Sequence, residues 1–350
     1  MTVRITWKRL ILALLGLGLA GIVFAWSGVF QISASSGHWR VTDWFLHWTM
    51  RNSVRTYSLF QVPGNPRDDT GMVSAAGHYR QACQVCHGGP GVRPSPVMQR
   101  ATPPAPDLAH TAGEWQDKEL FWIIQHGVKY TGMPAWGATD RPDEVRRMVA
   151  FVRRLPGMSA TEYRTLTHNP AAIMPGNLPA KLATCTGCHG ADGRGKGQRD
   201  IPILGGQSAN YLLTSMQRFA SGARPSAVMQ AAVSQLSPQD MRQLADHFAA
   251  LPGLDPKAHR PATHSSRDKS GQAMPTCSGC HAPGKAAPVI HGQKASYIAD
   301  RLYGWRAEPG VVDARQSSDT MAVIARRIPA DRIPRLAQSL EGKGASTADD

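Results

Sequence analysis

Three segments of the chain share the pattern Cys-x-x-Cys-His, in which two thiols stand one helical turn apart and an imidazole follows. The copies are Cys83-Gln84-Val85-Cys86-His87, Cys185-Thr186-Gly187-Cys188-His189 and Cys277-Ser278-Gly279-Cys280-His281. This pattern is the attachment signature of a c-type haem. The thiols add to the porphyrin vinyl groups as thioethers, and the histidine binds the iron from one side. The sequence therefore predicts three covalently bound haem c groups with His87, His189 and His281 as proximal iron ligands.

Structural zinc is the alternative for a Cys-x-x-Cys pair, because such a pair is half of a zinc site. Zinc usually takes four ligands, often from a second pair of cysteines or histidines. Here the pairs are far apart along the chain, and each carries its own adjacent histidine. All 6 cysteines belong to the motifs, so none is left for a disulfide or a thiol nucleophile. The pattern favours haem.

A second axial ligand is expected from a loop well downstream of each motif, where a thioether would stabilise ferrous iron. In the first unit we predict Met133, which lies in the turn Thr131-Gly132-Met133-Pro134-Ala135-Trp136. Met98 follows its motif too closely, and Met148 falls in a predicted helix. Most methionines in proteins are packing residues, so the surrounding Gly/Pro turn is what singles out Met133.

The second and third units repeat the same order of features. Met229 follows His189 at the same distance along the chain as Met321 follows His281, which indicates an internal repeat. Met321 is also the only methionine after the third motif. We therefore predict Met229 and Met321 as the distal ligands of the second and third irons.

The elements that must hold these residues are predicted to be helices. The fold class is mainly α: an N-terminal transmembrane helix followed by three small helical class I cytochrome c domains. Polar, Pro- and Gly-containing stretches separate the units, and Ser237-Pro238-Gln239-Asp240 predicts a helix start with a capping box. The predicted boundaries are an anchor and aromatic segment at 1–61, then domains at 62–163, 179–254 and 272–342.

The N-terminus carries an uncharged run from Leu10 to Phe30 behind three basic residues. About 20 apolar residues suffice to cross a bilayer as a helix, and leading positive charges keep an N-terminus cytoplasmic. A cleaved signal peptide is the alternative, but Ala25-Trp26-Ser27 is a poor cleavage site. We expect a single-pass anchor in the inner membrane with the haem domains in the periplasm.

Gly37 to Ser58 mixes tryptophans with histidines and arginines at helical spacing. This pattern predicts a helix lying along the outer membrane surface. A functional alternative would make His38 or His47 a further haem ligand or part of a quinol site.

The formal net charge is +14, from 39 Lys and Arg against 25 Asp and Glu. Haem propionates would lower it, and the remaining excess favours an acidic redox partner or anionic lipid headgroups. Nucleic acid is not expected as a partner, because no basic run interleaved with aromatics occurs and thioether attachment takes place outside the cytoplasm.

With these residues identified, the stretch from about Pro179 to Leu340 resembles the two-domain di-haem cytochromes c4. The likeness rests on the motif, on Gly206-Gln207 with Tyr211 and Gly292-Gln293 with Tyr297, and on a methionine before a terminal helix. The first domain resembles a mono-haem class I cytochrome c of bacterial respiratory complexes through its Gly132-Met133-Pro134 turn. The third domain departs from the pattern, since Ala282 replaces the usual glycine after the haem histidine.

These features predict an electron-transfer protein rather than an enzyme. The expected role is a membrane-anchored tri-haem cytochrome that passes electrons from a quinol-oxidising complex or dehydrogenase to a terminal oxidase or soluble cytochrome. The alternative is the cytochrome subunit of a periplasmic membrane-bound dehydrogenase of the alcohol or aldehyde type. A haem enzyme would need an iron without a sixth ligand, whereas each unit offers a methionine. No catalytic residue is therefore predicted.

Overall fold

The computed structural model describes residues 6–29, 31–61, 64, 68, 70–167, 177–254, 277–281, 284–307 and 320–341. Within these ranges the chain is helical, and an isolated bridge between Gly89 and Val92 is the one β-type pairing. The predicted linkers, 165–179 and 255–271, lie wholly or mostly outside the described residues, as does the tail after 341. In chain order the helices are α1 Trp7–Trp26, α2 Arg40–Tyr57, α3 Met72–His78, α4 Gln84–His87, α5 Leu108–Thr111, α6 Asp117–His126, α7 Pro142–Arg154, α8 Ala160–Thr167, α9 Asn177–His189, α10 Ala209–Ala220, α11 Ala227–Val233, α12 Pro238–Ala250, α13 Ala295–Ala307, α14 Thr320–Arg327 and α15 Ile333–Leu340.

Helix α1 carries the predicted apolar run, and every one of its described side chains is exposed. It is 20 residues long with a mean hydropathy of 2.1 over its most apolar window. That length and composition suit a bilayer span and equally an export signal. The helix ends at Trp26 instead of Phe30, because Gly28 has a φ of 70° and turns the chain away.

Helix α2 divides into a packed C-terminal half and an exposed N-terminal half. Val54 is 1 % exposed, the guanidinium of Arg51 lies 5.0 Å from the ring centre of Trp115, and Tyr57 stacks on Trp122. The predicted helix is therefore present, and its last turns belong to the packing of the first domain. The exposed half presents the aromatic side chains of Trp44, Phe45 and Trp48 to solvent, and Trp39, directly before the helix, is exposed as well.

The first haem-binding unit packs α3, α6, α7 and α8 around an aromatic centre. Tyr79, Phe151 and Tyr163 are all fully buried with ring centres 5.3 to 6.4 Å apart. The Tyr79 hydroxyl donates to the carbonyl of Gly88 at 2.9 Å, and the Tyr163 hydroxyl bonds Gln84 at 2.7 Å. Two core tyrosines thus hold the segment that contains the first motif. Helix α8 runs to Thr167, beyond the predicted limit at 163.

The second and third units show the same arrangement of long helices. In the second, α10 packs against α12 around Leu212 and Phe248. The predicted capping box at Ser237 is confirmed, since its hydroxyl accepts from the Asp240 amide. In the third, α13 packs against α14 and α15 around Ile298 and Leu336. The closing helix ends at Leu340.

The second and third units meet through two buried glutamines, each 5 % exposed. The Gln207 amide donates to the carbonyl of Val289 at 3.0 Å and accepts from its N–H at 2.9 Å. The Gln293 amide makes the same pair of bonds with Ile203, at 3.1 and 2.9 Å. Lys294 adds a bond to the Ile201 carbonyl at 3.0 Å. The junction therefore has approximate two-fold symmetry.

The first and second units meet through ionic and polar contacts. Asp200 accepts from Ser74 at 2.7 Å and pairs with Arg147 at 3.3 Å. Arg141 donates to the carbonyl of Pro225 at 2.9 Å. Because both partners of these contacts lie on well-packed segments, the two junctions hold the three units in a defined arrangement.

Candidate haem sites

The first motif sits at a change of helix type. Residues Tyr79–Cys83 form one π-helical turn, and α4 then carries Gln84–His87. Burial, followed by the neighbouring Cys86, raises the pKa of Cys83 to about 12. Thioether sulfur carries no charge, so a buried site that disfavours a thiolate is compatible with sulfur covalently attached to porphyrin.

The second motif ends α9, and the third lies in a short 3₁₀ turn. Burial raises the pKa of Cys185 to about 12, with Cys188 as the next cause. In the third motif Cys277 is half-buried, whereas Cys280 is exposed. Residues 255–276 before the third motif and 282–283 after it lie outside the described ranges.

Each of the three motif histidines makes the same kind of hydrogen bond, between its ring Nδ1 and the backbone carbonyl of a proline. In each, Nδ1 faces a proline carbonyl, which can only accept, so Nδ1 must carry the proton and Nε2 is left with its lone pair. A metal-binding histidine is usually oriented by such a bond from its other ring nitrogen. The pairs are His87 with Pro106 at 2.9 Å, His189 with Pro202 at 3.4 Å and His281 with Pro288 at 2.8 Å.

The electrostatics of these histidines suit an iron ligand. Burial lowers the pKa of His189 to about 4, and burial also lowers the pKa of His87 and of His281. Each imidazole is therefore neutral at pH 7, which is the form that offers a lone pair to a metal.

The loop with Met133 is held in a turn by its own neighbours. The Met133 amide donates to the Thr131 hydroxyl at 3.1 Å, and its carbonyl accepts from Val128 at 3.2 Å. Gly127 has a φ of 65°, and a Cβ there would lie 2.5 Å from the Pro134 carbonyl carbon. Glycine is thus required for the chain to fold back on itself after α6.

Two methionines of the first domain, Met148 and Met98, are not predicted to bind iron, and their surroundings differ. Met148 is 2 % exposed inside the core, as expected for a packing residue in α7. Met98 opens a 3₁₀ turn near the surface. Met133 is half-buried, and its role as an iron ligand stays a prediction.

Met229 and Met321 both lie in the first turn of a short helix. Met229 is in α11, where its amide donates to the Ser226 hydroxyl at 3.1 Å, and it packs on Phe219. Met321 is in α14 and packs on the core of the third unit. The equal spacing found in the sequence therefore corresponds to equivalent helices, and the ligand role of both stays a prediction.

Comparison with known proteins identifies the family of the chain. The family model described as "Cytochrome C oxidase, cbb3-type, subunit III" matches residues 72–152, and that described as "Cytochrome c" matches residues 179–251. A "Thiosulfate dehydrogenase electron acceptor" of Stutzerimonas stutzeri is 30% identical over 185 residues, covering 48% of this chain and 82% of that protein. Cytochrome c4 of Pseudomonas aeruginosa is 30% identical over 174 residues, covering 47% and 85%. The chain belongs to the multihaem c-type cytochromes.

Among solved structures, reduced recombinant cytochrome c4 from Pseudomonas stutzeri is similar to this cytochrome at 28% identity. The match covers 47% of this chain and 95% of the other, with a TM-score of 0.37. The cytochrome c4 resemblance of the C-terminal half and the mainly helical fold are confirmed. The cytochrome is an electron carrier and not an enzyme.

The proline carbonyls are the site residues that the sequence analysis missed. A signal was present, because each of these prolines is followed two positions later by leucine or isoleucine: Pro106 with Leu108, Pro202 with Leu204 and Pro288 with Ile290. The spacing from histidine to proline differs in each unit, so a search at fixed distance does not find it.

Covalent haem c supplies the redox-active iron of such a cytochrome.

The tyrosines that follow Gly-Gln in the second and third units lie at the junction between those units. Arg224 bonds Tyr211 at 3.3 Å and Ser215 at 3.2 Å, and it also pairs with Tyr297 of the third unit. Its guanidinium lies 4.6 Å from the ring centre of Phe219. The two repeat tyrosines thus meet at one arginine on the junction of the second and third units.

Proposed function

We propose that this cytochrome is a membrane-anchored tri-haem electron carrier of the periplasm. It would take electrons from a quinol-oxidising complex or dehydrogenase and pass them to a terminal oxidase or soluble cytochrome. Each of the three irons would be held by a motif histidine and by Met133, Met229 or Met321. Because each unit offers a histidine and a methionine to its iron, the residues would leave no position for a substrate, and the bound haems would supply electron transfer by tunnelling.

The observation that carries the proposal is that each of the three motif histidines is hydrogen-bonded to a proline carbonyl. Buried contacts join the three units that contain them. Tunnelling rates depend steeply on distance, so a carrier must keep its haems at fixed separations. The Gln207 and Gln293 pairs support this role between the second and third units. Asp200, bound to Ser74 and Arg147, supports it between the first and second.

The first unit also lies directly against an attachment cysteine of the second. A Cβ on Gly77 would lie 3.1 Å from the sulfur of Cys188, and the Val73 carbonyl is 3.9 Å from the same sulfur. Helix α3 of the first domain therefore covers the cysteine at which the second haem would be attached. This supports electron transfer from the first haem to the second within one chain.

Membrane anchoring is supported by the exposure of α1 and by the aromatic half of α2 that follows it. Aromatic side chains with basic neighbours favour the level of the lipid headgroups. The net charge of +14 adds attraction to anionic lipids or to an acidic partner protein.

The alternative is a subunit that serves one periplasmic dehydrogenase. The relative described as "Thiosulfate dehydrogenase electron acceptor" favours an immediate donor of that general kind. In that case the cytochrome would be reduced rapidly by its dehydrogenase and would co-purify with it.

The test uses the full-length protein in lipid nanodiscs, reduced with ascorbate and mixed with membranes from cells that lack it. We expect rapid haem reoxidation coupled to cyanide-sensitive oxygen uptake. If the membranes leave the haems reduced, while a periplasmic fraction with thiosulfate or an alcohol reduces the oxidised protein rapidly, the dehydrogenase-subunit alternative replaces the proposal.

A further inference from the structure

A buried carboxylate of the first domain lies at its junction with the second. Glu144 in α7 is 5 % exposed. It accepts from the indole N–H of Trp136 at 3.3 Å, the hydroxyl of Ser226 at 2.7 Å and the amide of Ala227 at 2.9 Å. Arg141 pairs with it at 3.2 Å. A buried charge is tolerated only when it is paired and hydrogen-bonded, and here two of the donors belong to the second domain.

The donors sit on the two segments that carry predicted distal ligands. Trp136 ends the turn that contains Met133, and its own amide donates to the Gln125 carbonyl at 3.1 Å. Ser226 precedes α11, and its hydroxyl also accepts from the Met229 amide at 3.1 Å. The Glu144 carboxylate is thus linked to the Met133 turn by one hydrogen bond, from Trp136. It is linked to the Met229 amide by two hydrogen bonds, through the Ser226 hydroxyl.

Direct packing accompanies these bonds. Ala227 of the second domain is 5 % exposed and belongs to the hydrophobic core of the first. A Cβ placed on Gly137 would lie 3.5 Å from the Ala227 Cβ. The Met133 turn and the first turn of α11 therefore touch, with Glu144 beneath both.

We propose that Glu144 is a positioning residue that couples the distal sides of the first and second haem sites. Its carboxylate holds the Met133 turn through Trp136 and the start of α11 through Ser226 and Ala227. The inference rests on the proposed ligand roles of Met133 and Met229. The third site has no part in this coupling, because the partners of Glu144 described above all lie in the first two domains.

The test compares Glu144→Gln with Glu119→Gln in the full-length protein. Glu119 is a matched control, since it is 6 % exposed in the same domain and bonds only within it, accepting from the Gln116 amide at 2.8 Å. In the reduced protein, the methyl protons of an iron-bound methionine shift far upfield in the proton magnetic resonance spectrum. The three signals are assigned with Met133→Leu, Met229→Leu and Met321→Leu.

We expect Glu144→Gln to move the Met133 and Met229 signals and to leave the Met321 signal in place. Imidazole should displace the methionines of the first two oxidised haems about tenfold faster, the factor expected when a charge-assisted hydrogen bond is weakened. Ser226→Ala keeps the carboxylate and should move the Met229 signal alone, which keeps the test available if Glu144→Gln folds poorly.

Two results would overturn the inference in different ways. A spectrum of Glu144→Gln with the Met133 and Met229 signals unmoved, as in Glu119→Gln, removes the coupling and leaves the ligand assignment intact. An unaltered protein that lacks the Met133 or Met229 signal removes the ligand assignment itself, and the coupling with it.

Discussion

Gln207 and Gln293 make equivalent pairs of hydrogen bonds across the junction of the second and third domains. Each side chain both donates to and accepts from one backbone segment of the opposite domain, Val289 in one case and Ile203 in the other. Val289 and Ile203 each directly follow the proline whose carbonyl accepts from a haem histidine. The junction therefore holds the backbone next to the two prolines that orient His189 and His281.

Replacing either glutamine should loosen this junction. Gln207→Leu leaves the buried N–H and carbonyl of Val289 without partners, and each such group costs about 1–3 kcal/mol. We expect amide hydrogen exchange at 289–293 to accelerate by one to four orders of magnitude, since the two groups together cost about 2–6 kcal/mol and about 1.4 kcal/mol corresponds to a factor of ten. Gln217→Leu on the exposed face of α10 is the control and should leave exchange unchanged. Equal protection in Gln207→Leu would show that the hydrogen bonds contribute nothing to the junction.

The number of haems can be counted directly. We expect three haems per polypeptide by pyridine haemochrome absorbance, because each motif supplies two thiols and a neutral histidine. Replacing both cysteines of the third motif, Cys277→Ala with Cys280→Ala, should remove one third of the haem. The same pair of changes at Cys185 and Cys188 should do likewise. A count of two in the unaltered protein would mean that the third motif carries no haem.

His78 should make the first domain sensitive to acid. It is 7 % exposed, its Nδ1 has no hydrogen-bond partner among the described residues, and its ring lies 4.7 Å from that of Trp136. Burial lowers the pKa of His78 to about 4 from an ordinary 6.5. The unfolded chain therefore binds the proton more readily, so stability is complete above pH 6.5 and falls as the pH drops towards 4.

The loss is at most about 3 kcal/mol, from 1.36 kcal/mol per pH unit. His78→Phe should reduce the difference in urea midpoint between pH 7 and pH 4.5, measured by tryptophan fluorescence. His110, whose side chain is 81% exposed, serves as the control, and His110→Phe should leave that difference as it was. An unchanged acid sensitivity in His78→Phe would contradict the assignment.

Potentiometry can separate the two candidate ligands of the first haem. Met133→His should lower the potential of one haem by on the order of 0.1 V, because histidine stabilises ferric iron more than a thioether does. Met98→His should leave all potentials unchanged, since Met98 follows the motif by only 11 residues, counted from His87. A fall in potential with Met98→His and not with Met133→His would reverse the assignment.

The aromatic half of α2 should bind lipid surfaces. Protein lacking residues 1–30 should still associate with vesicles of anionic lipid, and Trp44→Ala with Trp48→Ala should weaken this binding at least tenfold, because both indoles are exposed at 64% and 54%. Trp115→Ala is no suitable control, because Arg51 packs on that ring. Tyr130→Ala, at a tyrosine that is 95% exposed and lies outside α2, should leave vesicle binding unchanged. Equal binding of the double variant would show that this face does not contact lipid.

Much of the local structure was predictable from the residues alone. The capping box at Ser237 and the apolar run of α1 both depend on near neighbours in the chain. Helix α2 was also predicted, but the packing of its last turns on Trp115 and Trp122 was not, because those rings come from distant positions.

The sequence by itself determined the haem chemistry, since the Cys-x-x-Cys-His spacing is complete within five residues and does not depend on the rest of the fold. It also determined the repeat and the candidate methionines. Only the tertiary structure decided which backbone carbonyl orients each histidine and which side chains join the domains. Pro106, Pro202 and Pro288 stand at different distances from their histidines, and Glu144 meets Ser226 across 82 positions of chain. Such contacts are set by how helices pack, and packing brings together residues that no local pattern connects.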